Sequence, residues 1–179
     1  MTIVEPSHET DGLPRITTGN AQLDEILGGG FPSNSINILM GEPGSGKTIL
    51  AEHLVFANAR AGGRPIVYLT TLSEPLEKVV RYLQNFSFFD AEMLATGAVV
   101  YESIGADLEA NGIDALVPKL EQIIKTRSPQ IVVIDSFKAI HDVSSSLPAM
   151  RKMLYRLSGL LTAYDTTAFL LGEYSEDQV

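Results

Sequence analysis

GEPGSGKT, residues 41–48, separates the apolar run SINILM, residues 35–40, from ILAEHLVFANA, residues 49–59, whose apolar side chains recur at helical spacing. Three glycines, a proline and one lysine therefore stand between a strand and a helix. Gly41, Gly44 and Gly46 let the backbone curl so that successive N–H groups face inward, and the dipole of the following helix adds positive potential at the same point. Lys47 supplies a compact cation, and Thr48 a hydroxyl of the kind a hard ion such as Mg2+ prefers. The spelling G-x-x-x-x-G-K-[ST] between strand and helix is that of a phosphate-binding loop, with Gly41, Glu42, Pro43, Gly44, Ser45, Gly46, Lys47 and Thr48 as the candidate cradle for a polyphosphate. The competing reading, a glycine turn carrying a surface lysine, does not explain the lysine and the threonine together.

Outward from this stretch, short apolar runs predict strands over 35–40, 65–71, 98–104, 131–135 and 167–172. Helical patterns fall over 20–27, 47–61, 75–86, 114–126 and 148–164, with a short turn near Glu92. Pro118 belongs in a first turn, so the fourth of these helices is expected to start somewhat after Asp114. IVVID and TAFLL are apolar at nearly every position, which requires both faces of their sheet to be covered. Repeated strand–helix units then give an α/β fold of three αβα layers, a mostly parallel sheet with helices on both faces. Residues 1–14, with Pro, Glu, His and Asp in no periodic order, read as a tail or linker, and 15–179 as one core.

A metal bound beside a nucleotide also needs an acid at the end of a neighbouring strand, and SPQIVVIDSF supplies Asp135. The alternative is a carboxylate that caps the following turn. Hydrolysis further needs a group that orients the attacking water, and Glu74 in YLTTLSEP is the candidate, just past the second strand on the expected ligand rim. Against it stands a purely structural reading, since Ser73 or Glu74 followed by Pro75 and Glu77 also makes a good helix start.

Lys and Arg total 13 against 22 Asp and Glu, a net charge of −9 that repels phosphate backbones and argues against a general nucleic-acid or anionic-membrane surface. Seven of the positive charges fall between Lys119 and Arg156, where a solvated helix face accounts for them. Without cysteine, disulfides, thiolate metal sites and cysteine nucleophiles are excluded. His8, His53 and His141 are too scattered to suggest zinc and read as structural. No run approaches the roughly 20 apolar residues of a membrane span, and the acidic N-terminus lacks a leader pattern, so a cytoplasmic location is expected.

RITTGNAQLDEILGGGFPSNSINILMGEPGSGKTILAEHLVFANA, residues 15–59, resembles the opening of KaiC-like ATPases of the RecA superfamily, in which T-G-x-x-x-L-D-x-x-L-G-G-G precedes the phosphate loop. The likeness runs on through IVVIDSF and FLLGEY. It implies a RecA-type core whose last strand, 167–172, inserts between the loop strand and the Asp135 strand, with the Glu74 strand beyond Asp135. It also implies ATP and Mg2+ as cofactors, with Lys47 and Glu74 catalytic and Thr48 and Asp135 on the metal. The resemblance further implies slow hydrolysis coupled to signalling or clock-type timing through a homo-oligomeric, usually hexameric ring and an unidentified protein partner, and in some members autophosphorylation. Where such proteins carry two adjacent acids this chain reads LSE, so Glu74 takes the role only with one extra strand residue. A non-hydrolysing ATP-binding scaffold and a RadA-like recombination ATPase, which would bind DNA, stand as alternatives. The chain ends at Val179, shortly after the fifth strand, so a partial domain is expected, with base and inter-subunit contacts further on and Glu173 as a candidate γ-phosphate sensor.

Overall fold

Along β4, Ile66–Thr70, and β6, Ile131–Asp135, successive side chains point to opposite faces of one sheet, and both sets are buried until the last residue of each strand. Val67, Leu69, Val132 and Ile134 pack on one side, and Ile66, Tyr68, Ile131 and Val133 on the other. The first side is covered by α5, Gly105–Asn111, α6, Leu116–Arg127, and α7, Leu147–Ala163, through residues such as Leu108, Leu120, Ile124 and Leu157. The second is covered by α2, Lys47–Arg60, α3, Leu76–Leu83, and α4, Ala91–Ala95, with Leu54, Val55, Phe56 and Leu83 innermost. Three αβα layers result, as the near-continuous apolar strands require. The computed structural model describes residues 14–71, 76–137, 140 and 146–173.

The main sheet runs β3–β7–β6–β4–β5, where β3 is Ile36–Gly41, β5 Val99–Ser103 and β7 Thr167–Glu173, and every neighbouring pair is parallel. The last strand in sequence therefore lies between the loop strand and the Asp135 strand, in the expected order. Parallel pairing puts all the C-terminal strand ends on one rim, where Thr70 and Asp135, at the ends of β4 and β6, stand beside the loop that follows β3.

Two features differ from the sequence expectation. Arg15–Ile16 and Phe31–Pro32, β1 and β2, pair antiparallel as a separate two-stranded ribbon; each has only two residues, too few to show a period. The helix expected over 114–126 starts at Leu116, later than Asp114 as expected from Pro118, but it is preceded by α5 and a 3-10 turn, Gly112–Ala115, that the sequence did not announce. Gly112, at φ 64°, ends α5 in a conformation that glycine adopts freely, and Pro118 falls in the first turn of α6, where its missing N–H costs nothing. Residues 1–13 of the expected tail lie outside the described residues.

Candidate functional site

The segment before the loop is tied to the last turn of α2. Asn20 caps α1, Ala21–Ile26, by accepting from the N–H groups of Gln22 and Leu23, and Asp24 on that helix turns back to the chain ahead of it. One Asp24 oxygen accepts from the Thr17 hydroxyl at 2.5 Å, and the other from the Thr18 amide and hydroxyl, both at 2.7 Å. Burial pushes the Asp24 carboxyl upward, but these hydrogen bonds outweigh it and hold the pKa below the ordinary value. Asn58 of α2 donates to Thr17 O at 2.8 Å, which ties the clamp to the helix that starts at the loop.

Between β3 and α2 the chain turns through Gly44 at φ 77° and Gly46 at φ 89°, conformations that L side chains rarely adopt. Gly46 is the N-cap of α2, so no side chain caps the first-turn N–H groups, and no acid stands in that turn. A fourteen-residue helix thus presents an uncapped positive end to the loop, a ready anion site. Lys47 Nζ donates to Gly41 O at 2.9 Å, Glu42 O at 2.8 Å and Ser45 Oγ at 3.3 Å, so the ammonium is folded against the inside of the loop.

Asp135 meets the loop from the end of β6. The Thr48 hydroxyl donates to Asp135 Oδ2 at 2.9 Å, and the Tyr68 phenol of β4 donates to the same oxygen at 2.8 Å. The backbone around Asp135 is pinned as well: Thr71 N–H donates to Asp135 O at 2.8 Å, and Ser136 N–H to Thr71 Oγ1 at 2.9 Å. An open cleft of about 210 Å³ lies against Lys47, Thr48, Asp135, Ser136 and Tyr82. The oxygens of Thr48 and Asp135 fit the ion expected here, because two adjacent ligands of an octahedral Mg2+ at about 2.05 Å are about 2.9 Å apart.

Behind Asp135 sits a buried acid that the sequence reading passed over. Glu52, one helical turn beyond Thr48, is 2% exposed and accepts a hydrogen bond from the Tyr101 phenol at 2.5 Å. Burial, with a smaller push from the Asp135 charge, raises its pKa to about 8 against the pull of that bond, so Glu52 is protonated at neutral pH. Burial and the neighbouring acids also push the Tyr68 and Tyr101 phenols upward. An acid among the apolar Ala51, Leu54 and Val55 on a helix was the available signal; the phenols were hidden among other strand apolars.

The structure therefore brings residues 41–48 and Asp135 to one rim, with Glu173 closing β7 in register with Gly41. Glu74 lies outside the described residues, as do His8, Lys138 and His141. His53 stacks on Phe88 with ring centroids 5.0 Å apart. Of the basic stretch, Lys119, Lys125 and Arg127 pair with Asp107, Glu121 and Glu102, and Arg151, Lys152 and Arg156 are exposed along α7. Among the described residues no helix is long and apolar enough to cross a membrane.

Comparison with known proteins gives four similarities. A family model described as "ATPase: KaiC" matches residues 16–179. A UPF0273 protein of Methanopyrus kandleri is 27% identical over 90% of this chain and 68% of its own length. The circadian clock oscillator protein KaiC of a Picosynechococcus is 23% identical over 90% of this chain, which spans only 32% of that protein. Among solved structures, a KaiC-like protein from Pyrococcus horikoshii superposes with a TM-score of 0.77 at 23% identity, over 93% of this chain and 74% of that one, a likeness of fold.

Proposed function

The chain belongs to the KaiC family of ATPases, and from that premise we propose that it binds ATP with Mg2+ between the 41–48 loop and Asp135 and hydrolyses it slowly. The observation that carries this reading is the uncapped N-terminus of α2 opening beside the Thr48–Asp135 pair. The first-turn amides hold the phosphates as fixed donors. Lys47 exchanges its three neutral acceptors for phosphate oxygens, and hydrogen bonds to an ionised acceptor are the stronger. Thr48 and Asp135 hold the metal, which when bound neutralises charge on the β and γ oxygens. Glu74 orients the attacking water. At the level of the whole protein, we place this module in a cytoplasmic homo-oligomeric ring, a hexamer, that signals to a protein partner.

Calorimetric titration with ATP, with and without Mg2+, tests the binding, and phosphate release from wild type and Glu74→Gln tests the chemistry. Tight metal-dependent binding that Lys47→Ala abolishes, and turnover that the Gln variant loses, are the expected results. No affinity for adenine nucleotides in a folded sample would sink the reading, and equal turnover in both proteins would remove Glu74 from it. A non-hydrolysing ATP-binding scaffold is the second reading, favoured by the LSE spelling, which puts Leu72 and Ser73 rather than Glu74 at the two acidic positions unless the strand holds one extra residue. Binding without phosphate release separates the two. The net charge of −9, together with the paired basic residues of α6, disfavours the RadA-like DNA-handling alternative.

A further inference from the structure

Asp135 Oδ2 accepts two hydroxyl hydrogen bonds, from Thr48 on α2 and from Tyr68 on β4. The two donors have different prospects once a cation arrives. If Thr48 and Asp135 Oδ2 are adjacent ligands of one ion, the Thr48 O–H has to point away from the metal and so away from that oxygen, whereas the Tyr68 phenol, 2% exposed, has no such demand on it. A carboxylate turns freely about its last torsion, where the preferences are broad and two-fold. One fixed donor on one oxygen narrows that freedom before the metal binds.

Tyr68 is itself braced. It lies directly opposite Tyr101 in the β4–β5 register, with ring centroids 5.2 Å apart. The Tyr101 hydroxyl is spent on Glu52, and Glu52 stands on the same helix face as Thr48, four residues on. The order Thr48, Asp135, Tyr68, Tyr101, Glu52 therefore starts and ends on α2 and passes through β6, β4 and β5.

We propose that Tyr68 is a positioning residue for the metal: its hydroxyl holds the Asp135 carboxylate facing Thr48, and the Tyr101–Glu52 pair keeps its ring in place. This rests on the nucleotide–metal reading of the site. A phenol that merely satisfies itself in the core would affect stability alone, so metal dependence discriminates between the two roles.

The test titrates the non-hydrolysable analogue β,γ-imido-ATP into wild type, Tyr68→Phe and Tyr101→Phe, each in Mg2+ and in EDTA. Removing a partner that orients a metal ligand typically weakens metal binding by about 10- to 100-fold. Tyr68→Phe is thus expected to lose about tenfold or more of the Mg2+-dependent gain in affinity while its affinity in EDTA stays at the wild-type value. Tyr101→Phe, which removes the brace and leaves the Tyr68 hydroxyl, should show a smaller loss confined to the same metal-dependent part. An undiminished Mg2+ gain in Tyr68→Phe overturns the assignment. So does an equal loss in Mg2+ and in EDTA, which marks a structural effect. Should Tyr68→Phe not fold, an undiminished gain in Tyr101→Phe overturns it instead. Wild type that binds the analogue without any Mg2+ gain overturns the metal reading and this inference together, which separates that failure from the others.

Discussion

Thr48 and Asp135, 87 residues apart in sequence, share a hydrogen bond of 2.9 Å because β6 and the strand leading into the loop end on the same rim of a parallel sheet. With β7 between those strands, it is the position of Thr48 one residue into α2, rather than strand pairing, that lets the two side chains meet. If the pair is the metal site, Asp135→Asn keeps the volume and a hydrogen-bond acceptor and removes the charge. Nucleotide affinity in Mg2+ should then fall by more than about tenfold and in EDTA hardly at all. Calorimetry in the two buffers decides, and equal losses in both would place the role of Asp135 in folding.

Lys47 is held by three acceptors of the loop itself, so its removal costs the unliganded protein something as well as the complex. The acceptors are neutral and partly exposed, which keeps the first cost near 1 kcal/mol, or about 2–4 °C of melting temperature for a chain of this size. Hydrogen bonds to ionised phosphate are worth about 1.5–3 kcal/mol each. Lys47→Met is therefore expected to melt within a few degrees of wild type and to bind ATP at least about 100-fold more weakly. A variant that melted far lower would show that the lysine mainly organises the loop.

Asp24 gathers three hydrogen bonds from Thr17 and Thr18, and through Thr17 the carbonyl that Asn58 holds. Asp24→Ala leaves two hydroxyls and an amide without that partner in a half-buried setting, a loss of about 1–3 kcal/mol. The Asp24 pKa is held low in the folded state, so its contribution is complete above the unfolded value near 3.8 and fades as pH falls through the folded one. Urea unfolding at pH 7 should thus show the full difference between Asp24→Ala and wild type, and the difference should narrow under acid. An unchanged gap at pH 3 would contradict the charged clamp.

The five strands of the main sheet and the loop were legible in the sequence because their signals are local: apolar runs with a length, glycines with a spacing, a lysine with no other use. The order of the strands was not local and came from the family likeness in residues 15–59. What stayed hidden depends on tertiary neighbours. The seven-residue α5 is too short to show a helical period, and two-residue strands such as β1 carry no periodicity. Tyr68 looked like one more apolar position in IVYLT, since only the packing of β6 against β4 tells that its hydroxyl meets Asp135. Glu52 was visible as an acid among apolars, yet its partner lies on β5, an edge strand of the sheet, 49 residues on in sequence.

That buried acid gives the molecule a stability profile opposite in sense to an ordinary salt-bridged carboxylate. In the unfolded chain Glu52 titrates near 4.5, and in the folded protein burial raises it to about 8. Its neutral form is thus favoured by folding; the stability attached to it is complete below about pH 4.5 and is lost progressively as pH rises toward 8. At about 1.4 kcal/mol per unit the whole loss is on the order of 5 kcal/mol. Glu52→Gln has the same shape, keeps an acceptor for the Tyr101 hydroxyl and cannot ionise. The variant should match wild type near pH 4.5 and become the more stable of the two by a margin that grows to pH 8 and then levels off. Denaturant unfolding of both proteins at pH 5, 6, 7 and 8.5 measures that margin. A constant gap across the range would mean that Glu52 is ionised throughout and that an unseen cation or water supports it.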